Sequence, residues 1–130
     1  MQPVNPSGNA PPPSPYSHGA LVEGRIRLLH TAGQVGRLAD GSIAVGFEAQ
    51  CNQAWRNLRN VLREGGMDMA DVVKLTFFLV DRDDMAVMRQ IWDQMVGEHR
   101  PPATMLIVAG LGRPEVLFEL EAVAAQAIDT

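Results

Sequence analysis

The sequence predicts an α/β domain of the α+β kind, with about six strands in one mixed sheet and two amphipathic helices on one of its faces. Three observations lead there. Residues 48–64 and 85–96 carry apolar side chains at steps of three and four, the spacing of a helix with one buried stripe. Residues 72–80 form a nearly continuous apolar run of strand length, as expected of a central strand. Residues 117–124, Leu-Phe-Glu-Leu-Glu-Ala-Val-Ala, alternate with period two and place two carboxylates on one face of a strand.

In chain order, residues 1–14 hold five of the nine prolines among Asn, Ser and Gly, a composition that cannot offset ordering entropy by burial. They read as a flexible, extended arm, and residues 15–130 as the folded domain. Leu21-Val22, a Glu23-Gly24 turn and the alternation from Arg25 to Thr31 predict a hairpin. Asp40-Gly41 predicts a second turn before a Ser42–Val45 strand, making the first third a β-meander. The first helix has its stripe at Cys51, Ala54, Trp55, Leu58, Val61 and Leu62 and stops at Gly65-Gly66. After the 72–80 strand, Asp83 or Asp84 is placed to cap a second helix with the stripe Met85, Met88, Ile91, Trp92 and Met95. Arg100-Pro101-Pro102 then forces an extended chain into a strand near Thr104–Val108.

Two helices leave one sheet face bare. Thr76 and Phe78 on the central strand and Glu119 and Glu121 on the last are predicted to share it, half apolar and half acidic, which suits a subunit interface better than open water. The chain is therefore expected to be an oligomer.

Composition narrows the function classes. No apolar run reaches the roughly 20 residues that cross a bilayer, and residues 1–20 lack a basic stretch followed by an apolar one, so a cytoplasmic protein without membrane contact is expected. The formal charge of -4 and scattered arginines argue against nucleic-acid binding. Cys51 is alone and lies on the apolar side of its helix, which points to packing. His30 and His99 fall in no ligand spacing, so no metal and no cofactor are expected.

Several segments resemble one family. Ser14-Pro15-Tyr16-Ser17-His18, Thr31-Ala32-Gly33-Gln34-Val35, Asn57, Val73-Lys74-Leu75-Thr76 with Phe78-Leu79 and Asp81, Arg100-Pro101-Pro102, and Glu119-Leu120-Glu121-Ala122-Val123-Ala124 are together similar to the RidA/YjgF (L-PSP) proteins. The resemblance runs from about Ser14 to Ala125 and implies a chorismate-mutase-like fold, assembled as a homotrimeric barrel with a cleft between each pair of subunits.

It also implies a chemistry, the hydrolysis of reactive enamines and imines such as 2-aminoacrylate to ammonia and a 2-keto acid. That reaction needs a cation to hold the substrate carboxylate, a shaped pocket and a base for the attacking water. By the resemblance, Glu119 is the catalytic candidate, and Tyr16, Gly33 and Gln34 line the pocket. His18, a polar group beside Tyr16, is added to them as either an acid–base group or a hydrogen-bonded loop residue.

The family arginine is missing. It follows the proline of a Pro-Ala-Arg-Ser/Thr pattern by two residues; that position is Ala103 here, or Thr104 in the neighbouring register. Arg89 and Arg113 are the possible replacements. Two readings follow: an enzyme acting on a small imine or related metabolite, or a trimer that binds a metabolite without turnover. Ribonuclease activity, known for some members, receives little help from the acidic balance.

Overall fold

The computed structural model describes residues 1–128 of the chain. Strand β1 (Gln2–Val4) pairs antiparallel with β2 (Gly19–Leu21) in a small ribbon. The main sheet has five strands: β3 (Ile26–His30), β4 (Gln34–Val35), β5 (Val72–Leu79), β6 (Ala103–Ile107) and β7 (Phe118–Ala127), in the order β3-β7-β5-β6, with β4 also on β7. Helix α1 (Phe47–Glu64) leads into β5, and α2 (Met85–Val96) links β5 to its parallel neighbour β6. All other pairings of the main sheet are antiparallel.

The core lies between the helices and one face of the sheet. Cys51, Ala54, Trp55, Leu58 and Leu62 of α1 and Met88, Ile91, Trp92 and Val96 of α2 are buried against Leu75 and Phe77 of β5 and Phe118, Leu120 and Ala122 of β7. The phenyl ring of Phe77 sits at the centre, 5.8 Å from the Trp55 ring and 4.8 Å from that of Trp92. Burial pushes the Cys51 thiol up to about 12, so it stays protonated and unreactive.

The opposite face has no helix over it. Thr76 pairs with Glu121 and Phe78 with Glu119 across β5 and β7, and Thr104 and Leu106 of β6 stand beside Thr76 and Phe78. Period-two alternation thus puts the two carboxylates and the half-apolar residues on one surface, as the sequence predicts.

Two expectations for the first third fail. The 21–31 hairpin does not form: β2 takes β1 as its partner, and β3 crosses to β7, pairing Ile26 with Ala127 through His30 with Val123. Alternation specifies which face a strand buries, not which strand lies beside it. The Ser42–Val45 strand is also absent, leaving one bridge between Arg37 and Ile43. The Asp40 carboxylate accepts from the Ser42 backbone N–H and hydroxyl at 2.9 and 2.6 Å, closing a local turn in place of a ladder. Gly46, with φ +88°, then swings the chain into α1.

At the start of α2, Asp81 caps a 3-10 turn by accepting from the Asp83 N–H at 2.9 Å. Asp84 occupies the N-cap position of the helix itself without a side-chain bond.

Residues 1–14 include the strand β1, held by backbone pairing and not by burial: Gln2, Pro3 and Val4 are exposed. His18 ties the arm down, its backbone N–H donating to Asn5 Oδ1 at 2.8 Å and its Nε2 lying 2.7 Å from the Ala10 carbonyl.

Candidate functional site

Between β3 and β4 the chain makes an irregular step along β7. His30 faces Val123 and Gln34 faces Leu120, so four steps on one strand match three on the other, the count of a β-bulge. Thr31 fills the gap in the ladder: its N–H donates to the Ala122 carbonyl, and its hydroxyl accepts from the Ala122 N–H, both at 3.0 Å. The extra residue swings Gly33 over Glu119. A Cβ at position 33 would lie 2.6 Å from Glu119 Cδ, so only glycine allows this approach.

Gly33, Gln34 and Glu119 line a cleft of about 630 Å³. Its other walls are the loop after β4, the polar face of α1 and the loop between β6 and β7. Two amides of α1 fix those loops. Asn57 Nδ2 donates to the Val35 and Arg37 carbonyls at 3.0 and 2.8 Å. Gln50, 2% exposed, donates from Nε2 to the Glu115 carbonyl and accepts the Leu117 N–H at Oε1, each at 2.8 Å. Gly36 permits that packing, since a Cβ there would meet Gln50 Cα at 2.5 Å.

Glu119 is half-buried, and desolvation raises its carboxyl above the usual carboxylate value, with the Glu121 carboxylate on the same face adding to the effect. A carboxylate so placed is a better proton acceptor than an ordinary surface glutamate.

The remaining candidates lie elsewhere in the chain. Tyr16 stacks on Trp92, with ring centroids 6.1 Å apart, and stands edge-on to His18 at 6.2 Å. Tyr16 and Ala103 line a separate groove of about 180 Å³ with Arg89, on the α2 side of the sheet. Thr104 takes the open face, where its hydroxyl accepts from Lys74 Nζ at 2.7 Å. A single chain therefore brings Gly33, Gln34 and Glu119 together and holds Tyr16, Ala103 and Thr104 apart from them.

Strand parity also separates Ala103 from Thr104: Thr104 shares a face with Glu119 and Glu121, whereas Ala103 packs towards the core. Of the two replacement arginines, Arg113 lines the Glu119 cleft and Arg89 the Tyr16 groove. Sequence reasoning missed Gln50 and Arg37. The only sign of Gln50 is an amide on the apolar stripe of a helix, one residue before Cys51. Among the described residues, no group of three or more His, Cys, Asp or Glu converges as a metal site would require.

Residues 7–126 match the family described as Endoribonuclease L-PSP. The chain is similar to a RutC family protein of Pyrococcus horikoshii, at 33% identity over 123 residues covering 89% of this chain and 91% of the relative. It is also similar to the human 2-iminobutanoate/2-iminopropanoate deaminase, at 31% identity over 118 residues covering 86% and 80%. A crystal structure of a Rid-family protein of unknown function from Yersinia pestis superposes with a TM-score of 0.84 at 34% identity, covering 96% of this chain and 98% of that one.

Proposed function

The chain belongs to the L-PSP family, also called RidA/YjgF, and from that premise we propose that it hydrolyses a small enamine or imine, with Glu119 as the base for water. The observation that carries this reading is the half-buried Glu119 carboxylate, its pKa raised, set against Gly33 in an open cleft.

The substrate enters as the imine tautomer. Water, oriented by Glu119, adds through oxygen to the imine carbon as a proton passes to nitrogen, giving a carbinolamine. Its C–N bond then breaks, the nitrogen leaving as ammonia with a proton, and the hydroxyl oxygen becomes the carbonyl of the keto product. One water is consumed and one ammonia released, with no change of oxidation state.

The working pocket lies between copies of the chain in a homotrimer. The half-apolar face of Thr76, Phe78 and Leu106 seeks cover, and the division of the candidates between two grooves calls for a second copy to bring its Tyr16 edge to the Glu119 cleft. No helix among the described residues is long and apolar enough to cross a membrane.

A second reading, a trimer that binds a metabolite without turnover, is favoured by Thr104, an uncharged residue where the family arginine would face the pocket. Loss of a bidentate guanidinium removes roughly 1.5–3 kcal/mol of charge-assisted bonding and some of the orientation. A ribonuclease reading has no such support, since the formal charge is -4.

The test measures ammonia and keto-acid release from 2-aminoacrylate generated in situ, with the protein, Glu119→Ala and Thr104→Arg compared against spontaneous hydrolysis. Acceleration lost in Glu119→Ala supports the enzyme. Activity confined to Thr104→Arg, or none at all, transfers support to the binding trimer.

A further inference from the structure

Trp92 is 3% exposed, and its indole Nε1 has no hydrogen-bond partner among the described residues. A buried donor left unpaired is uncommon and asks for a reason. The chain has two tryptophans and one tyrosine, and that tyrosine lies directly on Trp92: the Tyr16 ring stacks on it at 6.1 Å, with 11° between the planes. Trp55 Nε1 is unpaired too, but its ring meets Phe77, at 5.8 Å, and not the phenol. We propose that Trp92 and Tyr16 form a one-electron relay that carries oxidising equivalents out of the core, so that oxidation of this chain by radicals ends at Tyr16.

The chemistry balances in two steps. A radical oxidant takes one electron from the Trp92 indole and is itself reduced, leaving an indole radical cation. Such a cation ordinarily sheds its Nε1 proton and becomes a milder oxidant. Here that proton has no acceptor, and a positive charge among the apolar side chains of the core is disfavoured, so the electron vacancy is driven outward. Tyr16 then returns one electron to Trp92 and releases its phenolic proton to water, ending as a neutral phenoxyl radical. Trp92 is restored, and no charge stays buried.

Both ends of the relay are held in place. Trp92 belongs to the buried stripe of α2, and its ring centroid lies 4.8 Å from that of Phe77. Tyr16 is fixed on either side in sequence: its backbone N–H donates to the Ser14 carbonyl at 2.7 Å, Ser17 is buried, and His18 is tied to Asn5 and Ala10. Half-buried itself, Tyr16 borders the groove with Arg89 and a second hollow of about 440 Å³ beside Glu98 and Arg100, which give its phenolic proton a way to water. The relay lies within one chain, so it is independent of Glu119 and of assembly.

The test is laser flash excitation of the full chain at the red edge of the tryptophan band, where tyrosine scarcely absorbs, with a cobalt(III) ammine complex as the irreversible acceptor of the ejected electron. Absorption of the tryptophan radical is expected to decay as that of the tyrosine phenoxyl grows, at one rate that does not change with protein concentration. Tyr16→Phe keeps the stacked ring and removes the oxidisable phenol, so the growth is expected to vanish and the tryptophan radical to last severalfold longer. Trp55→Phe should retain the growth and Trp92→Phe should slow it severalfold, with circular dichroism checking the fold of each variant. Peptide mass mapping after steady irradiation should show severalfold more oxidation of Trp92 in Tyr16→Phe than in the unmodified protein. A phenoxyl that never forms, that forms at a rate proportional to protein concentration, that forms equally fast in folded Trp92→Phe or that is lost in Trp55→Phe would overturn the proposal, as would Trp92 damage that is the same with and without the phenol.

Discussion

Gly33 and Glu119 approach so closely that a Cβ on the glycine would fall 2.6 Å from the carboxyl carbon and 2.9 Å from Glu119 Cγ. What a methyl would displace is the end of a flexible side chain, and Gly33 is exposed, so the fold can absorb the change while the carboxylate cannot keep its place. Gly33→Ala is expected to alter stability by less than about 0.5 kcal/mol, in the range of surface substitutions. It should lower kcat/KM for imine hydrolysis by about tenfold to a hundredfold, the scale of a 1 Å misplacement of a catalytic group. Thermal melts alongside kinetics check this, and unchanged kinetics would remove Glu119 from the reaction.

The pH dependence follows from the same carboxylate. Desolvation first, and then the neighbouring Glu121 charge, raise the Glu119 carboxyl above 4.5. For a group raised in this way, its stabilising contribution is complete below the unfolded value and is lost as pH rises through the folded one, because folding disfavours the ionised form. Glu119→Gln should therefore be somewhat more stable than the native chain near neutral pH, though inactive. The base works only when ionised, so kcat/KM should fall on the acid side with a midpoint above 4.5, and Glu121→Gln should move that midpoint down. A rate profile flat to pH 4.5 contradicts this assignment.

Gln50 is the fastener between α1 and the β6–β7 loop. Replacing it with leucine, similar in size, leaves the Leu117 N–H and the Glu115 carbonyl without partners. Both bonds are partly buried, so the expected loss is about 1 kcal/mol for each polar group left unsatisfied. Urea titration measures it. A stability within 0.5 kcal/mol of the native chain would mean that water or another group replaces the amide.

The regular elements were legible wherever periodicity alone decides. The stripe from Cys51 to Leu62 gives α1, the apolar run gives β5, and the alternation of Glu119 and Glu121 gives both β7 and the face it leaves open. Pairing was not legible. The Arg25–Thr31 alternation fits β2 and β7 equally well, and only the three-dimensional course gives β3 to β7. Of the candidate site residues, Gly33, Gln34 and Glu119 were named through the family resemblance, and the fold brings these three to one cleft. The position of Arg37 on the cleft wall was not legible, since it depends on a loop path that begins at Gly36 packed on Gln50, a contact between residues 14 apart with no periodic signature.

The open face supplies the last expectation. Leu106 is 43% exposed in the single chain, on edge strand β6 and beside Phe78, so burying it requires another copy. Leu106→Asp should leave the chain folded, since the residue takes no part in the core. In the proposed homotrimer it should turn a particle of three 14.1 kDa chains into one, because an unpaired carboxylate cannot be buried in an interface without a large penalty. Activity should disappear with assembly if the pocket needs the Tyr16 edge of a second copy. Light scattering and the ammonia assay on the same sample decide both points. A native chain that scatters as a monomer removes the interface, and a monomeric Leu106→Asp that retains full activity places the whole reaction in the Glu119 cleft of one chain.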